Sequence, residues 1–260
     1  MKASYCKYSL LLVFYPVLLL LCSIPAHSKE NQKDGWQFQL AGYSWLSGQS
    51  GSVGSIPGLP AVEIDIDFWD DIAGNINGAL YLLGEARKGS FGVVMDIEYS
   101  DITFENNTPG SYYSSIYSQT KTWLLTTAAF YRFAETPAGF FDLLAGVRYW
   151  AIESDLGLRT GALPKRQITN KEEWLDPLVG IKGLYALGQS KIFISGAFLL
   201  GGVGAGSDLL FDGNLNLGYN WTESIATTIG YRYMDVDYDN DGYVYDVSQD
   251  GPTLGFFWRF

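Results

Sequence analysis

Apolar and polar residues alternate along most of this chain with a period of two. Within residues 142–149, one set of alternate positions is aliphatic or aromatic, and the other set includes Asp142, Gly146 and Arg148. Because successive side chains of a β-strand point to opposite faces of a sheet, this alternation predicts strands. We predict ten strands, near residues 35–46, 77–87, 90–104, 118–133, 140–156, 173–187, 190–203, 208–221, 224–238 and 247–260. The predicted fold class is therefore all-β.

The connections between the predicted strands differ in length. Tight turns rich in turn-forming residues fall at 88–89, 136–139, 188–189 and 222–223. Longer connections fall at 47–76, 105–117, 157–172 and 239–246, with a shorter one at 204–207. Short turns at one end and long loops at the other are typical of transmembrane β-barrels, whose short turns lie in the periplasm.

Strand length separates a membrane barrel from a soluble β-sandwich, which also has strands and turns. The predicted strands are about 11–15 residues long, whereas strands of soluble proteins average nearer 5–6. A tilted strand needs about 9–11 residues to cross a bilayer. The pattern therefore predicts an antiparallel transmembrane β-barrel of ten strands, with eight strands as the alternative. An even number of strands places both termini on the same side, which we expect to be the periplasm.

The first 28 residues have the features of a secretory signal peptide. Lys2 and Lys7 precede an apolar core at residues 10–21, and small residues end the segment at 26–28. We predict cleavage before Lys29. Residues 1–28 are then the signal peptide and residues 29–260 form the barrel domain.

Two other interpretations of this segment are a membrane anchor and a lipoprotein signal. About 20 apolar residues can span a bilayer, but Pro16 and the small residues at the end favour cleavage. A lipoprotein signal at Cys22 requires a small residue before the cysteine, and Leu21 occupies that position. Cleavage as a secretory signal is therefore the prediction.

Composition and charge exclude several functional classes. The chain has 17 Lys and Arg against 28 Asp and Glu, a formal net charge of -11, so it lacks the basic surface of a nucleic-acid binder. Removal of residues 1–28 takes away Cys6, Cys22 and His27, which are all the cysteines and the one histidine of the chain. A disulfide scaffold and a site for a soft metal are therefore not expected, and no cofactor is predicted.

Several short segments resemble a known group of proteins. They are residues 85–89, 146–150, 176–180 and 230–233, together with the closing Phe260. On these segments the chain resembles bacterial outer-membrane β-barrel proteins of the porin-like and opacity-like surface-antigen type, over nearly all of residues 29–260. The resemblance implies an integral protein of the cell outer membrane in contact with its lipid, and it implies little about activity. Residues 68–72 are similar to a short helical turn of this group, although a solvated acidic loop is the favoured interpretation.

The last predicted strand has aromatic residues at every second position. These are Phe256, Trp258 and Phe260, which suit the membrane interface. In the group that the chain resembles, a terminal phenylalanine that ends such a stripe is the signal recognised by the barrel-assembly machinery. We therefore expect that machinery to be a partner of this strand.

Catalysis is not expected from the residue types present. Known enzymes among outer-membrane barrels resemble one another in using a histidine for proton transfer, because its pKa lies near neutral pH. Residues 29–260 contain none. The acidic pairs Asp70–Asp71 and Asp96 with Glu98 could replace it in principle, as in glycosidases, but a structural position explains both pairs. The sequence therefore predicts that the protein is not an enzyme.

One motif resembles the beginning of a calcium-binding loop. Residues 237–242 read Asp-Tyr-Asp-Asn-Asp-Gly, with oxygen ligands at alternate positions and glycine at the sixth. Ser248 occupies the twelfth position, where such loops have a bidentate glutamate, and strands flank the motif. We expect an acidic hairpin tip and no metal site.

Alternation also predicts which charged residues face the barrel interior. If the apolar stripes face lipid, five acids and five bases face inward: Glu85, Asp96, Glu98, Asp142 and Asp176, and Arg132, Arg148, Lys182, Arg232 and Arg259. Buried charges persist when they are paired. The balance favours a mutually compensating network over an open, water-filled lumen.

Three functions remain open at this stage. The first is a structural or surface-exposed barrel with a largely plugged lumen. The second is a narrow passive pore for small solutes. The third is an adhesin-like binder of an unknown extracellular ligand through the connection at 47–76, whose glycines and prolines suggest mobility.

Overall fold

The computed structural model describes residues 35–54, 60–108 and 112–260, and the predicted signal peptide lies outside them. The strands are β1 (Trp36–Trp45), β2 (Gly48–Gly54), β3 (Val62–Ile66), β4 (Ile76–Lys88), β5 (Phe91–Asn107), β6 (Tyr113–Thr136), β7 (Gly139–Thr160), β8 (Arg166–Ala186), β9 (Ile192–Gly202), β10 (Leu209–Asn220), β11 (Ile225–Asn240) and β12 (Tyr243–Arg259). A π-helical turn, Phe68–Ile72, separates β3 from β4.

Ten of these strands form a closed antiparallel barrel. The order is β1 followed by β4 to β12, and β12 returns to pair with β1. At this seam Gln39 lies opposite Arg259 and Trp45 lies opposite Thr253. The predicted fold class and the count of ten barrel strands are confirmed, and the alternative of eight strands is wrong.

The sequence predicts a loop for the whole first long connection, residues 47–76, but part of it forms strands β2 and β3. β2 continues beyond β1 and pairs with the first half of β12, and β3 pairs with β2. Gly48, Gly51 and Gly54 of this connection are part of β2, whereas Gly58 lies outside the described residues. Gly51 adopts a φ of 131°. A side chain there would collide with the backbone carbonyl of Asp246 on β12. Glycine therefore permits close backbone approach at this position.

The two ends of the barrel differ in height. At the tight-turn end, short turns join β4 to β5, β6 to β7, β8 to β9 and β10 to β11. At the opposite, long-strand end, β6, β7 and β8 have 24, 22 and 21 residues, whereas β9 and β10 have 11 and 12. The barrel wall is therefore low at the β9–β10 hairpin and high on both sides of it.

The high parts of the barrel form two walls. The first wall consists of the far parts of β5, β6, β7 and β8, and the second consists of β11, β12, β2 and β3. β9 pairs with β8 from Leu178 onward, so β8 from Arg166 to Pro177 has no partner on that side among the described residues. The walls therefore face each other across the lumen, with a notch above the β9–β10 hairpin.

The outer face carries an apolar band edged with aromatic side chains. Exposed aliphatic residues, including Val93, Leu143 and Leu215, lie between two aromatic rows. The row near the tight-turn end contains Trp36, Phe38, Phe91, Tyr131, Phe133, Phe141, Tyr185, Tyr219, Trp221 and Phe260, and the row toward the long-strand end contains Tyr99, Trp123, Tyr149, Tyr231 and Tyr233. This is the pattern that a bilayer imposes on a barrel. Among the described residues, no helix is long and apolar enough to cross a membrane.

Candidate functional site: the charged and aromatic lumen

The centre of the lumen contains a charge cluster built from four strands. Arg148 on β7 donates from Nη2 to Oδ2 of Asp212 on β10 at 2.6 Å. Arg232 on β11 binds both oxygens of the same carboxylate, at 2.9 and 2.8 Å, and donates to Glu98 on β5 at 2.9 Å. Each of these side chains is at most 5% exposed. We call these four residues the central charge cluster.

Asp212 is the residue of this cluster that sequence reasoning missed. It lies two positions before Asn214, on the same alternating polar face of β10 as Asn216. Extending that pattern by one step would have found it. Its carboxylate is the shared acceptor of two arginines, which explains how those side chains can approach each other in a buried interior.

A second cluster lies nearer the tight-turn end. Arg132 donates from Nε to Asp142 at 2.8 Å, and the Lys182 ammonium lies 3.4 Å from the same carboxylate. Lys182 also pairs with Glu85 on the opposite side of the barrel. We call Glu85, Arg132, Asp142 and Lys182 the lower charge cluster. Its cations also lie over the rings of neighbouring phenylalanines on the same face.

Three of the ten charged residues predicted to face inward form hydrogen bonds with uncharged groups instead of ion pairs. Asp96 accepts hydrogen bonds from the Tyr43 hydroxyl, at 2.9 and 3.0 Å. Asp176 accepts from the backbone N–H and the hydroxyl of Ser207, at 2.6 and 2.9 Å. Arg259 donates to the side chains of Gln39 and Asn220. The balance of five acids and five bases therefore does not correspond to five ion pairs.

An aromatic cluster fills the lumen above the central charge cluster. It consists of Trp45, Trp150, Trp174, Tyr238, Tyr243 and Tyr245, all buried. The Trp174 ring stacks on Trp150 at 5.0 Å and on Tyr238 at 4.1 Å. Among the described residues, Nε1 of Trp45 and of Trp150 and the Tyr243 hydroxyl have no hydrogen-bond partner. These rings join the inner faces of the two walls.

The aromatic cluster also closes the notch above the β9–β10 hairpin. The Tyr238 hydroxyl donates to Oε1 of Glu172 on β8 at 2.7 Å, and the amide of Asn240 donates to the same oxygen at 3.2 Å. Below this contact, Nε1 of Trp174 donates to the Ser207 hydroxyl at 3.0 Å. The two walls are therefore connected by hydrogen bonds as well as by stacked rings.

A small cavity lies in the lumen against the central charge cluster. Its volume is about 160 Å³, and Asp96, Lys182, Asn214, Thr228 and Phe257 are among its lining residues. At about 30 Å³ per molecule, such a volume accommodates on the order of five waters. The interior therefore contains a small space below the cluster, lined by aliphatic side chains such as Leu83, Val94 and Leu144 as well as by polar ones.

The other acidic motifs have local roles. The Asp67 carboxylate accepts hydrogen bonds from the backbone N–H groups of Trp69 and Asp70, so it caps the π-helical turn that contains Asp70 and Asp71.

The calcium-like motif at residues 237–242 lies at a tight hairpin between β11 and β12, with positive φ at Asp241 and Gly242. In the part of the chain that the structure describes, no group of three or more His, Cys, Asp or Glu could hold a metal ion.

The predicted assembly residues lie at the barrel seam. Trp258 and Phe256 lie opposite Leu40 and Gly42 of β1, and Phe260 exchanges two backbone hydrogen bonds of 3.0 Å with Phe38. The Phe260 ring contacts those of Phe38 and Trp258 at 5.7 and 4.7 Å. Recognition of these residues by assembly machinery stays a prediction.

A closed antiparallel barrel with an apolar outer band and a charged interior defines the class: the chain has the fold of bacterial outer-membrane β-barrel proteins. The outer membrane protease OmpT from Escherichia coli is similar in structure, with a TM-score of 0.55 and 11% identity over 90% of this chain and 99% of that one. The attachment invasion locus protein Ail of Yersinia pestis has a TM-score of 0.37 and 12% identity over 87% and 99%. No protein-family model matches the sequence, and no curated protein matches it significantly.

The comparison corrects the prediction that the protein is not an enzyme. That prediction excludes catalysis because residues 29–260 contain no histidine. It is wrong, because a structure similar to this one over 90% of its length is an outer membrane protease. Enzymes therefore belong to this fold class. At 11% identity the likeness shows the fold alone.

Proposed function

We propose that this protein is an integral barrel of the outer membrane that acts at the cell surface and keeps its lumen closed. The observation that carries the proposal is the contact of Arg148, Asp212, Arg232 and Glu98, which joins four strands across the lumen. Ten strands enclose a bore far narrower than the 16–18 strands of a porin channel. Large buried side chains therefore block a continuous water column.

The proposed orientation follows from the unequal ends of the barrel. Outer-membrane barrels have short periplasmic turns and longer extracellular segments. The tight-turn end and both termini then lie in the periplasm, and the two walls project outside. Lipid surrounds the apolar band, and the aromatic stripe at Phe256, Trp258 and Phe260 is the surface offered to the assembly machinery.

We assign the role at the cell surface to the two walls, because they are the parts that project outside in this orientation. Part of the connection at 47–76, which the sequence offers as a mobile adhesive loop, is paired in the second wall as β2 and β3. A ligand would therefore meet an ordered surface.

A narrow passive pore is the second candidate, and the 160 Å³ cavity beside the central charge cluster favours it. In that case the cavity would be one segment of a path for small solutes. The cluster would then act as a constriction, and the charges at its surface would select among ions.

Planar-bilayer recording separates the two candidates. We expect the unmutated barrel to show no steady conductance and Arg148→Ala to introduce or raise it, because that guanidinium occupies space at the centre of the lumen. Arg166→Ala, on the exposed part of β8, is the matched control and should leave the current unchanged. A steady ohmic current through the unmutated barrel, altered by Arg148→Ala in ion selectivity alone, would establish the pore instead.

A further inference from the structure

A polar pocket lies on the outer face of the first wall, beyond the apolar band. Its volume is about 520 Å³, within the usual range of ligand sites. Most of its polar side chains come from Asn77, Asp101, Thr103, Glu105, Gln119 and Arg159. On β5, Asp101, Thr103 and Glu105 alternate in phase with the exposed Val93 and Met95, so they point away from the lumen. The pocket is therefore separate from the interior clusters.

Hydrogen bonds within the pocket hold these side chains in place. Oδ1 of Asp101 accepts the amides of Asn77 at 2.9 Å and Gln119 at 2.8 Å, and Asn77 also donates to the Thr103 hydroxyl at 2.7 Å. Nε of Arg159 donates to Oε1 of Glu105 at 2.8 Å. The backbone N–H of Thr103 donates to the Asn75 carbonyl, which fixes the neighbouring chain segment. The polar groups are thus positioned before any ligand arrives.

Each of these groups retains further bonding capacity. A carboxylate has two oxygens and a guanidinium five donors, while a carboxamide both donates and accepts. Among the described residues, Oδ2 of Asp101, Oε2 of Glu105 and the carbonyl oxygen of Gln119 have no hydrogen-bond partner. Acceptors and donors therefore stand side by side in one depression. A ligand that fits them must itself carry several groups that both donate and accept.

Charge narrows the class of ligand. Asp101 and Glu105 carry two negative charges and Arg159 one positive charge, while Lys121 lies opposite Asp101 and the Lys165 ammonium lies 5.8 Å from the ring of Tyr117, which also lines the pocket. Charges of both signs therefore surround the pocket, which disfavours a strongly charged ligand of either sign. Ile76 is the one aliphatic side chain larger than alanine in its lining, which disfavours an acyl chain. A hydroxyl-rich, uncharged molecule satisfies both conditions, and a saccharide is such a molecule.

The position of the pocket agrees with this chemistry. Asp101 lies two residues beyond Tyr99 on β5, and Tyr99 packs against Trp123 in the aromatic row at a centroid distance of 4.5 Å. Two residues of a strand span about 6.6 Å, which places Asp101 just outside the hydrocarbon region in the orientation proposed above. The pocket therefore faces the sugar and headgroup layer of the surrounding membrane.

We propose that this pocket binds a saccharide, either as the headgroup of a membrane glycolipid or as a free oligosaccharide. Asp101 and Gln119 supply the central hydrogen bonds, and Arg159 and Glu105 bind at the outer edge. The location at the headgroup layer rests on the proposed orientation, whereas the binding chemistry does not.

Calorimetric titration of the folded barrel in a non-glycosidic detergent tests the binding. The probes are two neutral oligosaccharides, a glucan and a galactan, and a neutral glycosyl diacylglycerol in vesicles is a separate arm. We expect saturable binding that Asp101→Asn weakens about tenfold, because a hydrogen bond to a carboxylate is lost. Gln119→Ala should weaken it similarly. Binding of the free oligosaccharides identifies a soluble source, and binding of the vesicle arm alone identifies a glycolipid.

Asp65→Asn on β3 is the matched control, because it makes the same chemical change on an exposed residue of the second wall. It should leave the affinity unchanged. Absence of binding in all three arms, or equal affinity for the unmutated protein and Asp101→Asn, overturns the proposal. Such a result leaves the closed lumen untouched, since conductance measures that property independently.

Discussion

Arg232 and Glu98 are in contact across the lumen although they lie on β11 and β5, with Nη2 of the arginine 2.9 Å from Oε1 of the glutamate. The arginine reaches this position because its Nε and Nη2 also bind Asp212 on the neighbouring strand β10. The ring of Trp45 lies 4.4 Å from the same guanidinium. Arg232 therefore connects the two sides of the barrel and supports the aromatic cluster above it.

Replacing Arg232 with methionine should destabilise the barrel. Glu98 then has no cationic partner among the described residues, and removal of one member of a buried ion pair costs about 3–5 kcal/mol, less where water reaches the charge. Unfolding by guanidinium chloride, followed by heat-modifiable gel mobility, measures the loss. Arg166→Met, an exposed arginine on β8, is the control and should change the free energy of unfolding by less than about 0.5 kcal/mol.

A double substitution distinguishes a pair effect from lost packing. Glu98→Gln combined with Arg232→Met should cost less than the sum of the two single substitutions, because the second change removes the charge that the first leaves unpaired. Strict additivity would show that Arg232 acts through its bulk and not through Glu98.

Replacing Trp174 with alanine should open the notch between the walls. The side chain stacks on both Trp150 and Tyr238 and is 6% exposed, so its loss removes contacts worth about 3–5 kcal/mol. Tyr238→Phe keeps the stack and removes the bond to Glu172, which should cost about 0.5–1.5 kcal/mol. Protease cleavage of the β11–β12 hairpin in intact proteoliposomes measures the opening. Equal cleavage of Trp174→Ala and the unmutated protein would show that the strands alone hold the hairpin.

The barrel itself could be predicted from the sequence because one face of each strand contacts lipid. Where that constraint holds, as in β7 and β10, side chains alternate strictly and the pattern is clear. It does not hold for β2, which lies beyond the apolar band and contains Gly48, Gly51 and Gly54. Its pairing depends on close approach to β12, a contact distant in sequence that no local pattern encodes.

The candidate site was only partly predictable for a related reason. Alternation predicts which charges face inward, and in the structure Arg148 and Arg232 are buried. It does not show which partner each one finds across the lumen. Arg148 lies directly opposite Asp176 in strand register, yet it bonds Asp212 while Asp176 bonds Ser207. Such choices depend on strand tilt and side-chain length in three dimensions.

Replacing Gly51 with alanine should detach β2 from β12 and leave the barrel intact. Its φ of 131° is unfavourable for an L-residue, and the added methyl group would collide with the Asp246 carbonyl. Gly84→Ala, which has no atom within 4 Å of the added group, is the control. Hydrogen exchange should rise in residues 48–54 in the first variant and stay unchanged in the second. Protection retained in Gly51→Ala would mean that β12 shifts to accommodate the side chain.

Ionised Glu153 and ionised Asp237 should have opposite effects on the stability of the walls, so a fall in pH should change that stability in opposite directions through these two residues. The hydrogen bond from Lys171 lowers the pKa of Glu153, so its stabilising effect is complete above the unfolded pKa of about 4.3 and is lost as the pH falls through its lower folded pKa. Burial, followed by the nearby Asp246, raises the pKa of Asp237, so its carboxylate destabilises the folded wall at neutral pH. Protonation of Asp237 as the pH falls through its raised folded pKa relieves that effect.

Two conservative variants test these signs separately. Asp237→Asn should protect the β11–β12 hairpin from hydrogen exchange at pH 7, because it removes a carboxylate repelled by its neighbours, and should make little difference at pH 3, where that carboxylate is already protonated. Glu153→Gln should loosen β7 and β8 at pH 7, because it removes the ion pairs with Lys121 and Lys171, and should match the unmutated protein in strong acid. Faster exchange in Asp237→Asn at pH 7 would mean that this carboxylate stabilises the hairpin, contrary to the direction of its pKa.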